Sequence, residues 1–94
     1  MARNEAGSGR EGLALSLDHD AALPKKRSLT IAGHRTSITL EDAFWRELKA
    51  AAAGMGVSVT ALASAIDSAR GGAGLSAAIR VYLLARVRRE PSER

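Results

Sequence analysis

Polar and apolar residues alternate between His34 and Leu40, which predicts a β-strand. Because successive side chains of a strand point to opposite faces, one face is polar or charged and the other is mainly aliphatic. The polar face consists of Arg35, Ser37 and Thr39, and the other face of Thr36, Ile38 and Leu40. Almost everything after Leu40 has the pattern of helix, so the rest of the chain is organised around this strand.

The predicted strand needs partners for its backbone N–H and C=O groups. The only other strand-like stretch runs from Ser28 to Ile31, and Ala32-Gly33 allows a bend, so the pattern fits either one bent strand or two. The simplest arrangement pairs the His34–Leu40 strand with the same strand of a second copy, antiparallel across a two-fold axis. A DNA major groove admits a two-stranded ribbon of this kind.

A first helix is predicted from Glu41, with Thr39 or Leu40 as its cap. Its acidic first residues suit the positive end of the helix dipole. Four apolar residues share one helical face, namely Phe44, Leu48, Ala51 and Met55. The Gly54-Met55-Gly56 sequence is typical of a helix end.

Two further helices follow, separated by the glycine-rich stretch 71–74. The second runs from Val59 to about Arg70 behind an N-cap at Ser58, and the third from Leu75 or Ser76 to Arg89. Together with the strand, the helices predict a core and dimer interface made of Ile38, Leu40, Phe44, Trp45, Leu48, Leu62, Ile66, Ile79 and Leu83. Tyr82 and Val87 extend the apolar stripe of the third helix.

The 94 residues predict one folded domain with less ordered ends. Residues 1–24 are rich in small and polar residues and predict a disordered arm, and residues 90–94 predict a frayed C-terminus. A folded part of residues 25–89 would bury only about 60% of its unfolded surface. Because the chain has no cysteine for disulfides, we expect an obligate, intertwined homodimer.

Positive charge is concentrated in two places, although the whole chain carries only +4 at neutral pH. The stretch from Lys25 to Leu40 contains no acid, and its cations are Lys25, Lys26, Arg27 and Arg35. A second cluster near the C-terminus consists of Arg86, Arg88 and Arg89. Such patches favour a phosphate-bearing partner, and the alternative is a solvated, solubilising surface.

Several classes of function are disfavoured. The histidines, His19 and His34, lack ligand spacing and a preorganised pocket, so no metal, cofactor or enzymatic activity is expected. The glycines at 71–74 lack the ending of a phosphate-binding P-loop and predict a turn. Without the apolar core of a signal peptide or a run near the ~18 apolar residues of a membrane span, the expected location is cytoplasmic. Binding to DNA would make the protein nucleoid-associated.

The strand that runs directly into a helix, followed by the Gly56-Val57-Ser58-Val59 start of a second helix, resembles the ribbon-helix-helix DNA-binding proteins of the Arc/MetJ-like superfamily. Residues 25–38, with Glu41, Phe44-Trp45 and 66–72, resemble one small bacterial subfamily. The resemblance implies a mainly α fold with one β-ribbon, assembled as an intertwined homodimer with an intermolecular two-stranded antiparallel sheet. The third helix is additional to the minimal fold, and Asp67 falls where that fold buries an aliphatic residue.

The resemblance also implies how DNA would be contacted. Bases would be read by the outward strand residues Arg35, Ser37 and Thr39. Phosphates would be held by backbone amides near Ser58, Val59 and Thr60. Further phosphate contacts are expected from Lys25, Lys26, Arg27 and His34. In an alternative register, residues 58–70 are an insertion and Ser76 opens the phosphate-binding helix.

These features predict a sequence-specific regulator of transcription that binds double-stranded DNA and represses by occupying an operator. One alternative is an antitoxin of a toxin–antitoxin pair, although antitoxins usually carry their flexible tail after the DNA-binding domain, whereas the predicted arm here precedes it. The other alternative is a protein-interaction module without DNA binding, in which the third helix docks a partner.

Overall fold

The structure, a computed structural model, describes residues 12–89. Its elements are α1 (His19–Ala22), β1 (Pro24–Ile31), β2 (His34–Glu41), α2 (Asp42–Met55), α3 (Val59–Ala69) and α4 (Leu75–Arg89). The prediction of a mainly helical fold with a two-stranded antiparallel sheet and an additional C-terminal helix is confirmed. The predicted frayed C-terminus and the first eleven residues of the predicted arm lie outside the described residues.

The two strands of the sheet belong to one chain and form a hairpin. The register of this sheet runs from Pro24 opposite Glu41 to Ile31 opposite His34, so the partner of β2 within the chain is β1. Pairing of β2 with the same strand of a second copy stays a prediction. Ala32 and Gly33 connect the strands with φ angles of 53° and 81°, and a two-residue type I′ turn requires positive φ at both positions. So short a loop closes at small entropic cost, which lets β2 find its partner locally.

The helix ends follow local chemistry closely. Helix α2 begins one residue later than predicted, with Glu41 as its N-cap, and ends at Gly56, whose φ of 72° is left-handed. Helix α3 begins behind Ser58, as predicted, and the Ser58 hydroxyl accepts a hydrogen bond from the Ala61 N–H at 3.0 Å. Helix α4 begins at Leu75 and runs to Arg89, as predicted.

The core lies between the inner face of the hairpin and helices α2, α3 and α4. Four large side chains are almost fully buried, namely Leu40, Leu48, Ile79 and Leu83. The other predicted core residues divide into two groups. Ile38, Leu62 and Ile66 are buried, and Phe44 and Trp45 are half-buried and packed against the cluster. The hairpin adds Leu29 and Ile31, which the predicted core lacked.

Two predicted apolar positions lie at the surface instead. Met55 and Val87 are about half exposed, and each lies near the C-terminal end of its helix. No single helix in residues 12–89 is long and apolar enough to cross a membrane; only α2 and α3 taken together reach that length and composition, and they are bent by 101°.

Candidate nucleic-acid interface

The hairpin turns one face away from the core, and this outer face carries six exposed side chains in two rows. The β1 row consists of Lys26, Ser28 and Thr30, and the β2 row of Thr39, Ser37 and Arg35. The register places the members of the two rows directly opposite one another, in the pairs Lys26–Thr39, Ser28–Ser37 and Thr30–Arg35. The outer face therefore combines two cations with four hydroxyls and contains no acid.

The residues predicted to read bases all lie on this outer face. Arg35, Ser37 and Thr39 are exposed, while Ile38 and Leu40 between them are buried. The alternation that predicted the strand thus separates the two faces as expected. Contact of the three side chains with DNA remains a prediction.

Two of the predicted phosphate contacts are instead engaged with an acid of the same chain. Lys25 and Arg27 lie opposite buried residues of β2, on the inner side of the hairpin. The Lys25 ammonium lies 2.8 Å from the Asp42 carboxylate, and the Arg27 guanidinium donates to the same carboxylate. Arg27 also donates to the Leu40 carbonyl and lies over the Trp45 ring at 5.0 Å. These contacts tie β1 to the start of α2.

The neighbouring acid, Glu41, connects the hairpin to α4. Arg80 donates two hydrogen bonds to it, with Nε 2.9 Å from Oε1 and Nη2 3.3 Å from Oε2. The Arg80 guanidinium also lies 5.9 Å from the centroid of the Phe44 ring. Both acids at the junction of strand and helix are therefore paired with cations on the core side.

The cations of the outer face are in a different situation. Among residues 12–89, neither Lys26 nor Arg35 has an ion-pair partner. The pleat of β1 thus separates three consecutive cations. Lys25 and Arg27 are paired with Asp42, and Lys26 lies on the other face of the strand. Positive charge with no internal partner is concentrated where an anionic ligand has access.

The ion pairs at Asp42 make the fold sensitive to acid. Hydrogen bonds from Lys25 and then Arg27 lower the pKa of Asp42 from 3.8 to about 2. A lowered pKa in the folded state means that the stabilisation is complete above about pH 4 and is lost as the pH falls towards 2. We therefore expect the difference in urea midpoint between the wild type and Asp42→Asn to shrink over this range. A difference that stays constant down to pH 2 would show that the charge of Asp42 contributes nothing to stability.

The other predicted phosphate contacts lie at element ends. His34 is exposed at the first position of β2, beside the hairpin turn. At the start of α3, the amides of Val59 and Thr60 have no acceptor within the helix, since the first N–H groups of any α-helix lack one. Ser58 is exposed as the N-cap, whereas the alternative residue, Ser76, is the half-buried second residue of α4.

A family model described as "Ribbon-helix-helix domain" matches residues 24–87, which is more than half of the chain. The chain belongs to the ribbon-helix-helix domain family. The match begins with the first residue of β1 and ends within α4, so both the hairpin and the additional helix of this ribbon-helix-helix protein fall inside it. No curated protein and no solved structure gave a significant match.

Sequence reasoning about this ribbon-helix-helix protein missed half of its outer face. Ser28 and Thr30 received no role, and Lys26 was grouped with its neighbours as a phosphate-binding arm. The signal was present, because Lys26, Ser28 and Thr30 alternate with the apolar Leu29 and Ile31 as regularly as the polar residues of β2 do with theirs. The predicted strand-like stretch Ser28–Ile31 leaves Lys26 outside it, and the outer face of β1 becomes evident only from its pairing with β2.

Proposed function

We propose that this ribbon-helix-helix protein is a sequence-specific, double-stranded DNA-binding regulator of transcription that represses by occupying an operator. The observation that carries the proposal is the distribution of charge across the hairpin. The two cations on its inner side are both paired with one acid, Asp42, and the cations on its outer face have no ion-pair partner within residues 12–89. Such a regulator would act in the cytoplasm, on the nucleoid.

The chemistry of the outer face suits base readout in the major groove. Arg35 can donate two hydrogen bonds to O6 and N7 of guanine, and the hydroxyls of Ser37 and Thr39 can meet several base edges. Two strands about 4.8 Å apart fit a groove about 12 Å wide. When the outer face lies in the groove, the backbone amides of Val59 and Thr60 at the start of α3 are candidates for holding a phosphate group.

The test is selection of random duplex DNA on the purified protein at moderate salt. Enrichment of a pseudo-palindromic sequence is expected for a dimer that reads bases. Binding without enrichment would contradict sequence reading and indicate contacts to the DNA backbone alone. Absence of any binding at low salt would contradict the DNA role and leave α4 as the candidate surface for a protein partner.

The homodimer is also part of this proposal, and its support is the exposed apolar side of α4. Helix α4 has apolar residues on its core side and also on the opposite side, and a contiguous exposed apolar patch often marks a protein–protein interface. Its core side carries Ile79 and Leu83, while on the opposite side Val81 is 67% and Leu84 57% exposed. Two shallow apolar grooves of about 360 and 280 Å³ meet at Val81.

A second copy of α4 is the occupant that we propose for this side. Ala77, Val81, Leu84 and Arg88 follow one another at intervals of four, three and four residues, which is the spacing of a helix–helix seam. A parallel pair would place the arginines of both C-terminal turns together, whereas an antiparallel pair separates them. An antiparallel pair also places the small Ala77 beside the long Arg88 of the other copy.

Val81→Glu should convert the dimer into a monomer, because it introduces a charge at the centre of the proposed seam. Sedimentation equilibrium at several protein concentrations measures the change. Ala65→Glu is the matched control, since it adds the same acid at an exposed position of α3. If the wild type is monomeric, or if Val81→Glu remains dimeric with its helical content intact, α4 does not form the dimer interface.

A further inference from the structure

The segment before α1 carries three of the most exposed large apolar side chains in residues 12–89. Leu13, Leu15 and Leu17 alternate with Ala14 and Ser16 and are 86%, 84% and 67% exposed. Residues 13–17, called the leucine arm below, belong to no helix or strand and include no charged residue. In extended backbone, alternate residues point to one side, so the leucine arm can present a single apolar row.

The leucine arm is attached to the folded body through α1. Asp18 caps this helix by accepting a hydrogen bond from the Ala21 N–H at 3.2 Å. Ala21 is buried, and α1 packs against α2. The three exposed leucines thus stand close together beside an ordered helix, and clustered exposed apolar side chains often mark an interaction site.

The larger apolar groove of the protein, of about 360 Å³, lies between α3 and α4. Its walls are mainly small apolar side chains, such as Ala69 of α3 and Ala78 and Val81 of α4. Arg70 is the one charged residue among the described residues that line it. An engineered core cavity left by a truncated leucine measures about 150 Å³, so the groove has room for about two leucine side chains.

We propose that the leucine arm of each copy packs into the α3–α4 groove of the other copy, with Leu15 and Leu17 as the inserted side chains. This inference rests on the proposed homodimer and adds a second contact on each side of the α4 seam. Because every chain has one arm and one groove, mutual exchange closes across a two-fold axis and leaves neither of them open.

The size of the α4 seam favours an additional contact. A specific protein–protein interface buries about 800 Å² on each partner and involves about 20–30 residues a side. The seam contributes four residues per copy, namely Ala77, Val81, Leu84 and Arg88. The α3–α4 groove shares Ala77 and Val81 with the seam, so an arm in the groove extends the same interface.

The charges of the leucine arm and of the groove are complementary. Two acids, Asp18 and Asp20, directly follow the arm, and Arg70 lies in the groove at the C-terminal end of α3. Asp67 and the carbonyls of the following turn engage Nε and Nη1 of Arg70. Within residues 12–89 the Nη2 of Arg70 has no hydrogen-bond partner, so it can donate to an incoming carboxylate.

The smaller groove, between α2 and α4, is a poorer match for the arm. Glu47 lines it together with Arg80, and the Arg80 guanidinium is already paired with Glu41. The Glu47 carboxylate would repel the two acids that follow the arm. The α3–α4 groove is therefore the one that we assign to the arm.

The position of the acids also selects which leucines enter the groove. With the acids beside Arg70, Leu17 enters first, and Leu15 follows about 6.6 Å further along an extended chain. This separation slightly exceeds one helical turn of about 5.4 Å, so the two side chains can insert on either side of one turn of α4. Because the groove holds about two leucine side chains, Leu13 lies beyond it.

Sedimentation equilibrium of the wild type and of single leucine variants tests the exchange. Leu15→Ser and Leu17→Ser should each raise the dissociation constant of the dimer by at least ~10-fold, because each change removes an inserted leucine from both grooves of the dimer. Leu13→Ser is the matched control, with the same substitution in the same arm, and should change the constant by less than about 2-fold. Circular dichroism should show the same helical content for all three variants, since these leucines are exposed in the single chain.

Disulfide trapping identifies the groove that the arm occupies, because the chain has no cysteine of its own. The variant with Leu17→Cys and Ala69→Cys should oxidise to a dimer linked between positions 17 and 69, identified by mass spectrometry of the linked peptides. The control pairs Leu17→Cys with Ala50→Cys, at an exposed position of α2, and should give no link between positions 17 and 50. A link between positions 17 and 69 within one chain would overturn the inference, since the arm would then cover its own groove.

The remaining outcomes separate this inference from the proposed homodimer. Unchanged dissociation constants for Leu15→Ser and Leu17→Ser would overturn the exchange and leave the α4 seam standing. Equal weakening by Leu13→Ser would also overturn it, because the groove would then not select between the leucines. A wild type that is monomeric at every concentration would overturn both the exchange and the homodimer.

Discussion

Arg35→Ala is expected to weaken binding to the selected operator and to remove the preference for guanine at one base pair in each half-site. A good bidentate contact between arginine and guanine contributes about 1–3 kcal/mol of discrimination. A homodimer loses the contact twice, so the affinity for the full operator should fall by about 2–6 kcal/mol. Fluorescence anisotropy with the selected duplex and with duplexes altered at single positions measures both effects.

Two other variants separate base readout from simple charge. Arg46→Ala removes the same charge from an exposed position on α2, away from the outer face, and should leave sequence preference unchanged. Arg35→Lys keeps the charge but loses the rigid bidentate geometry of the guanidinium, so it should recover affinity better than specificity. If Arg35→Ala leaves both affinity and preference untouched, the model of readout by the hairpin is wrong.

Leu40→Ala should destabilise the fold by about 2–5 kcal/mol, the usual range for a buried leucine replaced by alanine. Leu40 is 0% exposed and lies where β2 passes into α2, so its truncation leaves a cavity inside the core. Leu13→Ala is the matched control, because Leu13 is 86% exposed and its truncation should change stability by less than about 0.5 kcal/mol. Urea denaturation followed by circular dichroism measures both changes in the free energy of unfolding.

Leu40→Met provides a milder test at the same site. It conserves most of the volume and should cost less than about 1.5 kcal/mol, which keeps the domain folded for comparison. Similar unfolding free energies for Leu40→Ala and Leu13→Ala would show that Leu40 is not part of a packed core. Arg35 and Leu40 thus test the two faces of one strand. A slip of one residue in register would turn the outer face towards the core and the inner face towards solvent.

The faces of β2 and the ends of the helices were predictable because their signals are local. Alternation with a period of two places Arg35 and Ile38 on opposite sides whatever the strand pairs with. Ser58 caps α3 with its own hydroxyl, three residues from the N–H that it accepts from, and Gly56 supplies a left-handed residue at the end of α2. None of these features needs a contact between distant parts of the chain.

The pairing of β2 with β1 was not predicted because the turn lacks the usual signature. Type I′ turns favour Asn-Gly or Asp-Gly, and an alanine with positive φ, such as Ala32, is uncommon outside such a constraint. With an Ala-Gly turn, the sequence left one bent strand and two strands as equal alternatives. The eight residue pairs of the hairpin decide between them, since each brings its backbone groups and side chains into register with a partner.

Which acid each cation pairs with likewise depends on the tertiary structure. Lys25, Lys26 and Arg27 form one basic run in the sequence, but the acid that neutralises two of them lies 17 and 15 residues further on, at the start of α2. Arg80 meets Glu41 across 39 residues. Local sequence patterns do not predict which acid a cation will pair with, because the pairing depends on how strands and helices pack.

The sequence by itself determined helices α2, α3 and α4, the two faces of β2, the basic character of the region and the resemblance to ribbon-helix-helix proteins, because periodicity, capping and charge are properties of neighbouring residues. Only the tertiary structure decided that the ribbon lies within one chain, that Lys26 rather than Lys25 or Arg27 belongs to the outer face, and that α4 keeps Val81 and Leu84 exposed. These features arise from contacts between residues far apart in the chain, and the packing of one element against another selects them.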